Sequence, residues 1–271
     1  MAAPPQRPGF PARIDLGSGA RPPARPAGRP AAAATVAQAA PVTSASAPQA
    51  ASMARDPIPA RARMLQQLMA EGIQDPLVLR AMGAVDRHHF VDGALVPQAY
   101  EDTALPIGLG QTISKPSVVA RMTELLLQGG VRGADGRLGR VLDIGTGCGY
   151  QAVVLAQLAT EVYSIERLRE LHEKARANLR PLRLATVHLI LGDGMVGFAK
   201  GAPYAGIIAA AGGEAVPEAW IDQLAHGGRI VAPVAVAGGQ QALMVIDKSH
   251  QGVQQTILEA VNFVPLKSGL A

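Results

Sequence analysis

The run Val141-Leu142-Asp143-Ile144 stops at three alternating glycines, Gly145, Gly147 and Gly149. Four largely apolar residues suit a short buried strand, and glycines allow the turn behind it backbone angles that other residues resist. A helix is expected over 151–159, and the alternation then repeats. Strands are expected at 162–165, 187–191, 207–211 and 229–233, with helices at 167–179, where Pro181 ends the run, and at 217–224. Strands joined through helices lie parallel and are covered on both faces. The fold class that follows is α/β, a doubly wound and mostly parallel sheet. Residues 242–247 and 256–263 read as a closing antiparallel pair.

Ahead of the sheet the chain reads as helical. Met64, Leu65, Leu68 and Met69 share one helical face. Asp75-Pro76 starts a second short helix, and Pro116 opens a third that carries Val118, Val119, Met122, Leu125 and Leu126 on one side. Between them, residues 100–114 contain Pro106, Gly108 and Gly110 and read as a shaped loop.

In an open α/β sheet, ligands bind at the carboxyl ends of the strands. The glycine turn occupies the first such end. Glu166 closes the second strand, 21 residues after Gly145, where an acid accepts hydrogen bonds from ribose hydroxyls. Asp193 and Gly194 follow the third strand, and Asp193 is a candidate acceptor for an adenine amino group. A dinucleotide fingerprint would place its third glycine one position later, where this chain has Tyr150. A nucleoside cofactor without a pyrophosphate is therefore expected: S-adenosylmethionine (AdoMet), not NAD. The candidate cofactor residues are Asp143, Gly145, Thr146, Gly147, Gly149, Glu166, Asp193 and Gly194.

The charge lies in one place. Of 25 Lys and Arg and 21 Asp and Glu, residues 1–52 hold five arginines against Asp15 alone. The remainder is neutral, so the basic balance does not predict a nucleic-acid-binding surface. The same 52 residues contain 17 Ala and 10 Pro and no aromatic after Phe10. Such a segment buries too little apolar surface to offset the entropy of ordering it. A disordered tail is expected over 1–56 and a single domain over 57–271. The tail reads as an unselected extension, or as a start set upstream of Met53 or Met64. Neither a signal peptide nor a membrane span is expected, and the default location is cytoplasmic. With one cysteine, Cys148, and six histidines lacking ligand spacing, no metal site is expected.

Several motifs resemble the protein-L-isoaspartate O-methyltransferase family. They are Ala99-Tyr100-Glu101-Asp102, the loop Leu105-Pro106-Ile107-Gly108-Leu109-Gly110-Gln111-Thr112-Ile113-Ser114, Met122-Thr123-Glu124-Leu125-Leu126, the glycine turn, Tyr163-Ser164-Ile165-Glu166-Arg167, Gly192-Asp193-Gly194 and Phe263-Val264-Pro265-Leu266. The glycine turn alone fits any AdoMet-dependent methyltransferase; the loop ending at Ser114 is the specific element. The resemblance implies a Rossmann-like AdoMet-dependent methyltransferase fold with an N-terminal helical segment. It implies methyl transfer from AdoMet to the free α-carboxylate of L-isoaspartyl residues, which starts repair of damaged proteins through a succinimide. It also implies Ser114 as the active-site serine and a monomer that admits isoaspartyl proteins and peptides.

Thr112, Ile113, Lys115 and Ala210 are the candidate substrate-binding residues. Ser114 has a second reading, as a cap for the helix that Pro116 opens. The sequence departs from the family's usual pattern at Ala205-Gly206 and Ala209-Ala210, where an acid and a threonine are usual, and at Lys115 and Ser117. Those departures keep two rivals open: an AdoMet-dependent methyltransferase acting on another carboxylate or a small molecule, and an AdoMet-binding interaction module.

Overall fold

The computed structural model describes residues 57–271, so the expected disordered tail lies outside the described residues. Helices α1 (Pro57–Ala70) and α2 (Pro76–Ala84) come first. Asp75 caps α2, accepting from the amides of Leu77 at 2.8 Å and Val78 at 3.4 Å. A short hairpin, β1 (Leu105–Gly108) and β2 (Gln111–Ile113), occupies the segment expected as a loop, and α3 (Pro116–Gly129) follows. The buried Glu124 of α3 accepts from the amides of Gln74 and Asp75 at 2.7 and 2.9 Å, which fastens the α1–α2 turn to the domain.

The alternating part begins with β3 (Leu138–Ile144), α4 (Tyr150–Ala156), β4 (Ala159–Glu166), α5 (Arg169–Leu179) and β5 (Val187–Leu191). It continues with β6 (Tyr204–Ala209), α6 (Glu218–Gln223), β7 (Leu224–Ala235), β8 (Gln241–Ser249) and β9 (Gly252–Val261). The seven-stranded sheet has the order β5-β4-β3-β6-β7-β8-β9. Its first five members are parallel; β8 and β9 close it antiparallel.

Successive strand side chains point to opposite faces, and the core divides accordingly. Val141, Ile208 and Val231 join the cluster that α1 to α4 cover. Leu142, Ile144, Ile207, Ala209, Ile230 and Ala232 join the cluster around Trp220 on the other face. Both sides of the central strands are thus dry, which is why their sequences are nearly continuous apolar runs. The chain winds outward from β3 to β5, then returns to place β6 on the other side of β3. That reversal opens a crevice at the carboxyl ends of β3, β4 and β6.

Candidate active site

The turn between β3 and α4 forms one wall of the crevice. Gly145, Gly147 and Gly149 take φ of 90°, 55° and 92°, values that suit glycine. At Gly149 a Cβ would also fall 2.5 Å from Leu179 Cδ1, so a side chain there would force the Leu179 tip at the end of α5 to shift. Beneath it runs a buried chain of hydrogen bonds. Thr146 Oγ1 lies 2.7 Å from Ser164 Oγ, and Ser164 donates to Asp143 Oδ2 at 2.6 Å. Gln151 Nε2 donates to Asp143 Oδ1 at 2.8 Å. Asp143, fully buried, shares the face of Val141 and sits under α4, set back from the crevice.

Burial raises the Asp143 carboxyl to about 6, against the lowering pull of its Ser164 and Gln151 partners. A folded-state value above the unfolded one stabilises the fold at low pH, and that stabilisation is lost as pH rises between about 4 and 6. Two units correspond to about 3 kcal/mol. Asp143→Asn, which stays neutral, is therefore expected to gain about 3 kcal/mol relative to wild type on going from pH 4 to pH 7. Urea unfolding of both proteins at the two pH values measures this, and a pH-independent difference would show that Asp143 does not titrate there.

A cavity of about 460 Å³ fills the crevice, with Gly145, Gly147, Glu166, Gly194, Ile107 and Leu171 in its wall. That volume lies in the roughly 300–1,000 Å³ range of small-ligand sites. Glu166 is 6% exposed. Its Oε2 accepts from the Gly147 amide at 2.9 Å and its Oε1 from the Leu168 amide at 3.0 Å. A carboxylate has about four acceptor positions, so acceptor capacity remains for two hydroxyls of a ligand. The same bond decides against a pyrophosphate. The turn amide that would meet a phosphate is already taken, and a negative charge stands beside it. The residues present fit a nucleoside such as that of AdoMet.

Two segments close the cavity. The β1–β2 hairpin supplies Ile107, Leu109 and Thr112. Lys174 of α5 holds it down, donating to the Ile107 carbonyl at 2.9 Å and to Asp92 at 3.0 Å. The C-terminal stretch supplies Val264–Lys267 and pairs with Gly212 through bonds of 2.9 and 2.7 Å. Asp193 accepts from the Met195 and Gly269 amides at 2.8 and 2.6 Å, tying this stretch to the end of β5. Asp193, Thr146, Gly149 and Asp143 do not line the cavity; Gly145, Gly147, Glu166 and Gly194 do.

Next to the cavity runs an open groove of about 910 Å³, lined by Ser114, Lys115, Val118, Gln240, Gln241 and Asn262 among others. Thr112, Ala210 and Val264 line both spaces, so cavity and groove meet at these three residues. Ile113 instead points into the core at 4% exposure. The capping alternative for Ser114 is answered by Asp102, which accepts from the Ser117 amide and hydroxyl, each at 2.8 Å. With α3 capped from outside, the half-buried Ser114 hydroxyl has no hydrogen-bond partner among the described residues and faces the groove.

Arg87 carries no signal of its role in the sequence. Its side chain is fully buried with no carboxylate bonded to it among the described residues, and desolvation pulls its pKa down. It donates to the carbonyls of Ala99 and Ser114, both at 2.7 Å, and its guanidinium lies 4.8 Å over the Tyr150 ring. Cys148 is buried within the glycine turn, and burial pushes its thiol up, away from reactivity. Among the described residues, no group of three His, Cys, Asp or Glu is placed to hold a metal ion, and no helix is long and apolar enough to cross a membrane.

The sequence model of the protein-L-isoaspartate(D-aspartate) O-methyltransferase family matches residues 60–271. A protein-L-isoaspartate O-methyltransferase of Methylibium petroleiphilum is 62% identical over 211 residues, 77% of each chain. One of Leptothrix cholodnii is 59% identical, over 77% of this chain and 74% of its own. A solved protein-L-isoaspartate O-methyltransferase superposes with a TM-score of 0.68 at 26% identity, covering 78% of this chain and 67% of that one. A Plasmodium falciparum structure, described as a candidate enzyme of this kind in complex with S-adenosyl-L-homocysteine, gives 0.64 at 25% identity, over 76% and 97%.

Proposed function

This chain belongs to the protein-L-isoaspartate(D-aspartate) O-methyltransferase family, and from that premise we infer how its cavity and groove divide the reaction. The activity is methyl transfer from AdoMet to the free α-carboxylate of an L-isoaspartyl residue, the step that begins repair through a succinimide. Gly145, Gly147, Glu166 and Gly194 would hold AdoMet in the cavity, where its sulfonium would supply the methyl group to a carboxylate oxygen and keep the bonding pair on sulfur. The observation that carries the assignment of the two spaces is their junction at Thr112, Ala210 and Val264.

The chain's own contribution is positional. An α-carboxyl group has a pKa of about 3.3–3.7, so the acceptor is ionised at neutral pH and needs no general base. Glu166 orients the cofactor's ribose. Ser114 donates its unpartnered hydroxyl to one acceptor oxygen and leaves the other for the methyl group. The hairpin and the C-terminal stretch keep water from the cavity, and alignment in a dry site supplies the acceleration. Ala210 leaves space at the junction. With this reading we propose a cytoplasmic monomer whose groove is open to another protein's chain.

Labelled AdoMet, a synthetic isoaspartyl peptide and the same peptide with normal aspartate test this. Base-labile label is expected on the isoaspartyl peptide alone. Ser114→Ala is expected to lower kcat/KM by roughly 10-fold to 100-fold, the worth of a hydrogen bond to a charged group. Equal labelling of both peptides, or of neither, would refute the substrate assignment.

A further inference from the structure

We propose that Lys115 makes the groove select isoaspartyl sequences that carry a second acidic side chain close to the damaged residue. The proposal rests on reading the groove as the acceptor site. Among the described residues, Lys115 is the one charged residue that lines it; the other polar lining groups, Thr112, Ser114, Gln240, Gln241 and Asn262, are neutral.

The acid beside Lys115 does not satisfy it. Asp102 Oδ2 forms an ion pair with Lys115 Nζ at 3.7 Å, a separation beyond hydrogen-bond range, and the Lys115 side chain is 48% exposed. Asp102 is 16% exposed, does not line the groove, and is already bonded to the end of α3 through Ser117. An ammonium has three donors, so those of Lys115 remain available to a ligand.

Two further features add positive charge near Ser114 and offset the negative charge of Asp102. Arg87 lies buried beneath Ser114 with no carboxylate bonded to it among the described residues. The N-terminus of the 14-residue α3 begins at Pro116, with the positive end of its dipole toward Ser114 and Lys115. The acceptor carboxylate takes Ser114. Extended chain advances about 3.3–3.6 Å per residue, so a Glu or Asp one or two positions from the isoaspartate reaches the Lys115 ammonium.

The test uses the full-length chain and isoaspartyl peptides that differ only in a Glu, Gln or Lys two positions to either side of the isoaspartate. Wild type is expected to favour Glu over Gln by roughly twofold to fivefold in kcat/KM, the scale of an exposed ion pair, with Lys lowest. The difference should lie in KM, leave kcat alone and shrink as salt is raised. Lys115→Gln should bring the Glu and Lys peptides together, and Lys115→Arg should restore the order. Equal kcat/KM for the three peptides in wild type, or an unchanged order in Lys115→Gln, overturns the proposal. Failure to methylate isoaspartyl over aspartyl peptides would instead overturn the reading on which it rests.

Discussion

Glu166→Ala is expected to raise the dissociation constant for AdoMet by about 100-fold to 10,000-fold. Hydrogen bonds to a charged acceptor contribute about 1.5–3 kcal/mol each, two ribose hydroxyls make two such bonds, and 1.4 kcal/mol is a factor of ten. A second effect acts in the same direction. Glu166 also accepts from Gly147 and Leu168, so the alanine variant leaves two amides at the cavity wall without their acceptor and loosens the glycine turn. Glu166→Gln tests whether shape alone suffices. It keeps the shape and one good acceptor, but turns an NH₂ group toward one of those amides, so its loss should approach that of alanine. Calorimetric titration with AdoMet measures both variants, with thermal unfolding as the control for folding. Unchanged affinity in Glu166→Ala would remove this carboxylate from the cofactor site.

What could be read in advance follows from where each signal is stored. The central strands were legible because both of their faces are buried, and a short apolar run such as Val141–Ile144, ended by the glycine turn, is too brief for a buried helix. The β1–β2 hairpin was not. Pro106 and the glycines at 108 and 110 mark turns, and the pairing of Leu105 with Ile113 is a tertiary fact with no local periodicity. The helix expected to reach residue 159 ends at Ala156, because Ala159 pairs with Leu138 and opens β4. Alanine's helical preference is weak enough for a sheet partner to override. The edge strand β9 begins at Gly252, ahead of the expected 256, because its exposed Gln254-Gln255-Thr256 stretch is held by backbone pairing to β8 and shows no apolar pattern.

The site divides in the same way. Glu166, Gly145, Gly147 and Gly194 line the cavity, as strand-end and turn residues of this fold are expected to do. Asp143 lies on the strand just before the turn, and strand alternation carries it under α4, where it supports Ser164 and Thr146. Asp193 caps a turn and holds Gly269. A carboxylate at a strand end has two possible duties, binding the ligand or holding backbone, and neighbouring residues in sequence do not distinguish them.

Arg87 is the extreme case, since it stands among Asp86, His88 and His89, a polar run with no apolar period to mark its burial. Arg87→Met is expected to lower kcat/KM for an isoaspartyl peptide by about 100-fold, the cost of a displacement of roughly 1 Å at a reacting group, and to leave AdoMet affinity unchanged. The guanidinium is the donor that holds the Ser114 carbonyl, and it joins that loop to Ala99 and to the Tyr150 ring at the start of α4. Two effects on stability oppose each other in this variant. Loss of a desolvated cation removes a penalty of several kcal/mol; two carbonyls lose their donor at about 1–3 kcal/mol each. Stability should therefore move little while activity falls, and that divergence distinguishes positioning of Ser114 from simple support of the fold. Arg87→Lys keeps the charge, but its single ammonium does not span both carbonyls, so it should recover only part of the rate. Denaturant unfolding and kinetics on the same samples decide the matter: a large loss of stability with normal kcat in the folded fraction would mean that Arg87 holds the fold together and that Ser114 is positioned without it.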